Sequence, residues 1–166
     1  MSPTSAQPED LLFDAARRGD VSTLHELLGR GLNVDTTNDK GFTPLILAAY
    51  DDHYDAVVML LNSGANPNVQ DASGNTALMG VSFKGYPDIA RLLIERGADL
   101  NLQNGNGGTA LMFATMFGRN ALVRLLLDAG ASQTIADRRG LTALHLAGQQ
   151  GNEEAWALLG GEPPQA

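Results

Sequence analysis

Apolar and polar positions recur along the chain with a fixed period of 33 residues. Within each period, one short apolar segment follows a threonine and a second one ends at a glycine. In both segments the apolar residues are spaced as on one face of a helix, and polar turn-forming residues lie between them. An internal repeat of this length is typical of a solenoid, in which each unit buries its apolar face against its neighbours.

Four independent features of the sequence keep this period. They are a Thr-x-Leu step, a glycine two residues before it, a Gly-Ala pair and a double apolar step. The threonines are Thr43, Thr76, Thr109 and Thr142, the glycines before them are Gly41, Gly74, Gly107 and Gly140, and the Gly-Ala pairs begin at Gly64, Gly97 and Gly130. Because all four features agree, the period describes most of the chain and not a single motif.

Two short helices are predicted in each period. The first begins at the threonine, whose hydroxyl can accept a hydrogen bond from an unpaired N–H of the first turn, and runs for about nine residues. The second ends at the glycine of the Gly-Ala pair. A tight turn separates the two helices, and we place it at Gly19, Asp52, Gly85, Gly118 and Gly151. These residue types tolerate the positive φ that a helix end often needs.

In its period and its motifs, the chain resembles the ankyrin-repeat family over roughly residues 9–160. The shared motifs are Gly-x-Thr-Pro-Leu, Ala-Ala, Val-x-x-Leu-Leu and Gly-Ala-x-x-Asn, and the segment from Gly41 to Asn68 carries them all. The resemblance implies an all-α solenoid of helix-turn-helix units joined by short turn loops.

The chain departs from the family pattern directly after the Thr-x-Leu step. The family usually has a histidine there, which bridges the threonine and nearby backbone. In this chain only His145 keeps it, and the equivalent residues are Ile46, Met79 and Met112. We therefore expect a weaker local hydrogen-bond network in the middle repeats, with apolar packing in its place.

The resemblance and the period together predict a single domain of about five repeats, of which the first and the last are atypical caps. The predicted units are a capping repeat at 9–37, repeats at 38–70, 71–103 and 104–136, and a C-terminal capping repeat at 137–160. Asp10 is expected to cap the first helix, and Trp156 to take a core position in the last repeat. The Pro-rich tails, 1–8 and 161–166, are expected to be loose.

Composition and charge narrow the possible functions. The 166 residues are 43% apolar and 18% charged, which suits one domain with a core. The net charge of −8 argues against a phosphate backbone as partner, so no nucleic acid is expected. The absence of cysteine excludes disulfides and thiolate chemistry. Because the sequence shows neither a secretory leader nor an apolar run long enough for a bilayer, we expect a cytoplasmic protein that binds no membrane.

The residue types that could carry chemistry do not form a recognisable site. The histidines His25, His53 and His145 fall in different repeats, so a shared metal ion is not expected, and His145 is assigned a structural hydrogen bond. The acidic run at 51–55 is interpreted as a turn with an acidic surface. The glycine-rich segment at 105–108 lacks the strand and lysine of a phosphate-binding loop. We therefore predict no enzymatic activity, no metal and no cofactor.

The resemblance implies a concave binding face, built from the turn tips and the exposed side of the first helices. The residues predicted to bind a partner there are Asp39, Lys40, Phe42, Tyr50, Asp51, Asn75, Phe83, Lys84, Asn106, Met116, Phe117, Arg138, Arg139, Leu141 and Gln149. Tyr50, Phe83 and Met116 recur at 33-residue steps and, with Phe117, are predicted to form a continuous apolar stripe. Such clusters are enriched in protein interfaces, although the alternative remains that these side chains pack on each other and bind nothing.

Charge is uneven along the chain, with a net charge of −7 in residues 1–83 and −1 in residues 84–166. A partner is expected to present a basic patch to the N-terminal repeats and an acidic or polar one near Arg138 and Arg139. We predict a non-catalytic module that binds another protein, as an adaptor or as a regulator or stabiliser of a partner enzyme, and that is a monomer when free. Similarity to the small ankyrin-repeat proteins of bacteria also allows an immunity-type inhibitor of a toxin. A repeat protein that binds a small molecule or an ion stays open as a third class.

Overall fold

Ten α-helices make up most of residues 6–162, the part of the chain that the computed structural model describes. They form five consecutive pairs, as the sequence predicts. The first helices of the pairs are α1 (Pro8–Arg18), α3 (Pro44–Tyr50), α5 (Ala77–Lys84), α7 (Ala110–Met116) and α9 (Ala143–Gln150). The second helices are α2 (Val21–Gly29), α4 (Tyr54–Asn62), α6 (Pro87–Glu95), α8 (Asn120–Asp128) and α10 (Glu153–Leu158). Of the tails predicted at 1–8 and 161–166, residues 1–5 and 163–166 lie outside the described range.

The helices are arranged in two layers. Each odd-numbered helix packs against the next odd-numbered one, each even-numbered helix against the next even-numbered one, and the two helices of a pair contact each other. The contacts therefore run from unit to neighbouring unit, and the array is an all-α solenoid. Small and branched apolar side chains from both layers fill its core, for example Ala48, Leu60, Leu93, Leu111 and Leu126.

The predicted threonines cap the odd-numbered helices from α3 onward. In each case Oγ1 accepts a hydrogen bond from the backbone N–H three residues further on. The distances are 3.1, 3.2, 3.3 and 3.5 Å at Thr43, Thr76, Thr109 and Thr142. His145 Nδ1 additionally accepts from the N–H of its own cap residue at 3.0 Å. Met79 and Met112 are buried at the equivalent positions, so apolar packing replaces that hydrogen bond in the middle of the array.

The start of α1 differs from the prediction. The assignment of Asp10 as the cap is wrong, because the helix begins at Pro8 and its N-cap residue is Gln7. Proline suits the first position of a helix, where its missing N–H leaves no hydrogen bond unmade. Asp10 therefore lies inside the first turn, where its carboxylate accepts a hydrogen bond from the Gln7 N–H at 3.3 Å.

The last helix differs from the prediction in its packing. Trp156 packs against the core at the predicted position, but its side chain is only half-buried, whereas the smaller residues at equivalent positions of α4, α6 and α8 are fully buried. Within the described residues no helix follows α10, so a bulky ring fits at this edge. It packs against the backbone of Gly148 and Gly161, and its Nε1 donates to the Glu162 carbonyl at 2.9 Å.

The turns that precede α3, α5, α7 and α9 are stacked on one another. In each turn, one side-chain oxygen accepts hydrogen bonds from the backbone N–H groups two and four residues further on, at 2.9–3.0 Å. The residues that supply this oxygen are Asn38, Asp71, Asn104 and Asp137. One backbone hydrogen bond of 2.9–3.0 Å joins each turn to the next, from Ala72 N–H to Lys40, from Gly105 N–H to Ser73, and from Arg138 N–H to Asn106. We call this arrangement the turn stack.

The glycines of the turn stack are required because the next turn approaches so closely. Gly41, Gly74 and Gly107 have φ values of +75°, +83° and +77°. A Cβ atom on any of them would lie 2.7–2.9 Å from a backbone nitrogen of the following turn. Gly140 has a similar φ of +80°, but among the described residues no atom lies within 4 Å of a Cβ placed there.

Gly74→Ala is expected to destabilise the protein more than Gly140→Ala. Both substitutions place alanine in the left-handed region at a cost of about 1–2 kcal/mol. Only Gly74→Ala also brings a Cβ to 2.8 Å from the Gly105 nitrogen. Urea unfolding followed by circular dichroism should therefore give a free energy of unfolding about 1 kcal/mol or more lower for Gly74→Ala than for Gly140→Ala. Equal losses would show that the following turn does not constrain this position.

Asp137 makes the stability contributed by the turn stack depend on pH. The Leu141 N–H, together with hydrogen bonds and charge from Arg139, holds the pKa of this carboxyl below its usual range, against a smaller opposing effect of burial. A carboxylate whose pKa is lowered in the folded state stabilises the fold above its ordinary pKa, and this contribution is lost as the pH falls through the lowered value.

Asp137→Asn is expected to weaken the acid sensitivity of the fold. The amide oxygen can still accept the two backbone hydrogen bonds, as Asn38 and Asn104 do in their turns, but it does not titrate. Below about pH 4, the urea midpoint should fall less steeply for the variant than for the wild type. Identical slopes would show that Asp137 contributes nothing to the pH dependence.

Candidate functional site

Aromatic side chains from α3, α5 and the end of α7 form a continuous row. The rings of Tyr50 and Phe83 are parallel, with centroids 6.3 Å apart, and Phe117 meets Phe83 edge to face at 4.6 Å. Phe113 stacks on Phe117 at 6.4 Å. We call these four residues the aromatic row. The 33-residue spacing of Tyr50 and Phe83 predicts their contact, because equivalent positions of stacked units lie side by side.

Two rings of the aromatic row are exposed, and the other two are half-buried. Tyr50 is 41% exposed and Phe117 43%, whereas Phe83 and Phe113 are partly covered. The Nζ atom of Lys84 lies 4.8 Å from the centre of the Tyr50 ring, in a cation–π contact. The rings thus pack on each other, and Tyr50 and Phe117 still present apolar surface to solvent.

A groove of about 360 Å³ lies beside the first half of the row. Its walls are mainly apolar and include Phe42, Leu47, Tyr50, Met79, Phe83 and Phe113, and the predicted site residues Asp51 and Asn75 also line it. Gly80 forms part of its wall, so we call it the Gly80 groove. The predicted residues of this part of the face are therefore brought together around one depression.

The absence of a side chain at Gly80 opens this groove. The equivalent positions in the neighbouring units hold Leu47, Phe113 and Leu146. Gly80 lies inside α5, its φ is not in the left-handed region, and a Cβ added there would contact only Tyr50 Cδ2, at 3.4 Å. Glycine inside a helix is less stable than alanine by about 1 kcal/mol. Backbone geometry therefore gives no reason for a glycine here.

A second groove of about 270 Å³ adjoins the first, because Phe113 lines both. Its apolar walls include Met112, Phe113 and Met116, and its polar edge includes Asn106, Arg138 and Arg139. Arg139 is ion-paired with Asp137, at 2.9 Å between Nη2 and Oδ2. The Arg138 guanidinium has no hydrogen bond or ion pair with any residue of 6–162. We call this the Arg138 groove.

The remaining predicted site residues are only partly brought together. Asp39 and Lys40 line a third, wider groove of about 640 Å³ between the first turn and α1. Leu141 is half-buried and packs against the core, and Gln149 is exposed near the end of α9, so neither lines any of these three grooves. Odd-numbered helices and the turns beside them supply every wall, and we call the surface of the three grooves and the aromatic row the first-helix face.

Several residues that line this face were not selected from the sequence, among them Phe113 and Gly80. Phe113 lies one turn before the predicted Met116 and looks like a core residue by its spacing. Gly80 has no side chain that could contact a partner. It nevertheless interrupts the series Leu47, Phe113 and Leu146, which are otherwise apolar at 33-residue steps. That interruption is the signal by which the groove could have been found.

The histidines have structural positions. His53 Nε2 lies 2.7 Å from the Arg17 carbonyl oxygen, His25 is exposed on α2, and His145 makes the cap hydrogen bond described above. Within residues 6–162 no group of three or more His, Cys, Asp or Glu residues is placed to share a metal ion. None of the helices in that range has the length and apolar character needed to cross a membrane.

Stacked helix pairs, turns joined by backbone hydrogen bonds and a grooved face define a helical-repeat solenoid. The family described as ankyrin repeats (3 copies) matches residues 12–104 and 81–163, and the chain belongs to this family. Ankyrin repeats are generic protein–protein interaction modules, and the family is typically non-catalytic.

A segment of 51 residues is also 43% identical to the potassium channel AKT2/3 of Arabidopsis thaliana. The match covers 31% of this chain and 6% of the channel. This similarity therefore concerns a short segment of a much longer protein.

Proposed function

We propose that the chain binds another protein through the first-helix face, as an adaptor or as a regulator or stabiliser of a partner enzyme, and that it catalyses no reaction itself. The aromatic row carries this proposal. Two of the five exposed large apolar side chains in the described residues, Tyr50 and Phe117, belong to this one row. Interfaces draw most of their affinity from a few such residues beside well-packed pockets.

The packing of the row favours binding energetically. The Phe83 ring contacts Tyr50 on one side and Phe117 on the other, which restricts the rotation of all three side chains. Side chains that are already ordered lose less conformational entropy when a partner covers them. The apolar surface of the row is therefore available for association at a small entropic cost.

The charges of the chain favour a protein over a nucleic acid or an anionic lipid surface. The net charge of −8 repels phosphate groups, and the acidic excess is concentrated in the first half of the chain. A partner with a basic patch toward the N-terminal units would be attracted and oriented by this difference. We also propose that the free chain is a monomer.

Tyr50→Ala/Phe117→Ala is expected to abolish capture of the partner without unfolding the array. Both side chains are exposed, so their truncation removes little from the core. The tagged wild type and variant would be incubated with extract of the source organism, and the bound proteins identified by mass spectrometry. Circular dichroism and thermal melting would verify that the variant is folded.

Val21→Ala/Tyr54→Ala provides the matched control. These residues are 37% and 44% exposed, but they lie on α2 and α4, in the other layer of helices. A protein bound by the wild type and the control but not by the row variant would support the proposal. A protein bound equally by all three would place the interface elsewhere on the molecule.

A further inference from the structure

We propose that the Gly80 groove is the anchor site for one bulky apolar side chain of a partner peptide, which carries a basic residue beside this anchor and an acidic residue about five or six positions away. The inference rests on the proposed function, since it specifies what the first-helix face recognises. It follows from the shape of the groove, the charges at its edge and the position of the Arg138 groove.

The groove is preformed and has room for a side chain. Leu47 and Phe113 fill the equivalent positions of the units on either side, so Gly80 leaves the space of one large side chain empty between them. The ring contacts of Phe83 with Tyr50 and Phe117 hold the wall in place. An apolar side chain from outside can occupy this space and be removed from water.

The charged residues that line the Gly80 groove are acidic, while Lys84, which is not a lining residue, places its Nζ over the Tyr50 ring. Among the described residues that line it, Asp51 and Asp71 are charged and none is basic. Asp71 already accepts the N–H groups of Ser73 and Asn75 in the turn stack. Asp51 has no hydrogen bond or ion pair through its side chain with any residue of 6–162. It is therefore available to a Lys or Arg next to the anchoring side chain.

The neighbouring Arg138 groove carries a positive charge that can pair with a partner. Arg138 lines it without an ion pair inside the described chain, and Phe113 is shared by both grooves. Helices of neighbouring units pack about 8–10 Å apart, and Arg138 lies two units beyond Gly80, so roughly 16–20 Å separate the two positions along the array. An extended peptide advances about 3.3 Å per residue, so an acidic side chain about five or six positions from the anchor reaches Arg138. This charge order sets the direction in which the peptide lies along the array.

The test is selection of random linear peptides displayed on phage against the immobilised wild-type protein. We expect the enriched sequences to converge on a Leu, Phe or Met with an adjacent Lys or Arg and an Asp or Glu about five or six positions away on the other side. The affinities of synthetic copies would then be measured by fluorescence anisotropy for the wild type and its variants.

Gly80→Leu should lower the affinity of these peptides by about tenfold or more, because it fills the groove with the residue found at equivalent positions. Leucine also favours the helix, so the melting temperature should not fall. Gly29→Leu is the control, since Gly29 also lies in a helix and a Cβ there meets no atom of the described chain within 4 Å. Should Gly80→Leu fail to fold, Gly80→Ala, which fits beside Tyr50, is expected to give a smaller loss of affinity.

Two further substitutions test the charge pattern of the peptide. Asp51→Lys should weaken peptides that carry the basic residue, and the affinity should return when that residue is changed to Glu. Arg138→Glu should behave in the same way toward the acidic position. Affinities that do not respond to these exchanges would overturn the assigned chemistry.

The outcomes separate this proposal from the proposed function. Peptides that lose binding to Tyr50→Ala/Phe117→Ala but bind Gly80→Leu normally would overturn the anchor site and leave the first-helix face as the interface. Peptides unaffected by either variant would contradict both proposals. A small apolar molecule that raises the melting temperature of the wild type but not of Gly80→Leu, with no peptide enriched, would also overturn the peptide assignment.

Discussion

The hydrogen bonds of the turn stack are the constraint on which the rest of the structure depends. Each turn is fixed internally by one side-chain oxygen and externally by one backbone hydrogen bond of 2.9–3.0 Å to its neighbour. Glycine at the contact point lets the two backbones meet at this distance. Because each turn leads directly into an odd-numbered helix, the turn stack also sets the spacing and rotation of those helices. Side chains 33 residues apart are thereby brought into line along the array.

Because of this alignment, the side chains at one position of the repeat lie next to each other along the array, and we call such a set a column. A substitution in a column alters mainly the contacts with the adjoining units. Most columns are filled uniformly, as the buried alanines and leucines of the core show. Where a column is interrupted, the surface changes locally. Loss of a side chain at Gly80 leaves a groove, while a larger residue at Trp156 closes the edge of the last pair. The fold tolerates both because neighbouring units supply the remaining contacts.

The sequence predicts whatever depends on local hydrogen bonding and on the period. The threonine caps, the turn positions and the contact of Tyr50 with Phe83 all follow from spacing alone. The sequence does not predict features that depend on competition between two possible helix starts or on three-dimensional packing. Asp10 and Pro8 both suit a helix start, and only the folded chain shows that the helix begins at the proline. Phe113 has the spacing of a core residue, and its place in the aromatic row depends on how far its ring reaches toward Phe117. The grooves depend on the gaps between side chains of different units, which no spacing rule records.

Because the turn stack and the core hold the array together, the residues that stabilise the fold differ from the residues proposed to bind a partner. Buried core columns and the backbone contacts of the turns hold the array together, whereas Asp51, Arg138 and the exposed rings of the aromatic row contribute little to it. Charge and shape on the first-helix face can therefore change without disturbing the columns beneath. In the proposed complex, the rings and the Gly80 groove supply affinity by burying apolar surface, and the opposed charges of Asp51 and Arg138 fix orientation. Neither property would suffice alone: an apolar row without flanking charges would accept a peptide in either direction, and the charges without the row would be weakened by salt.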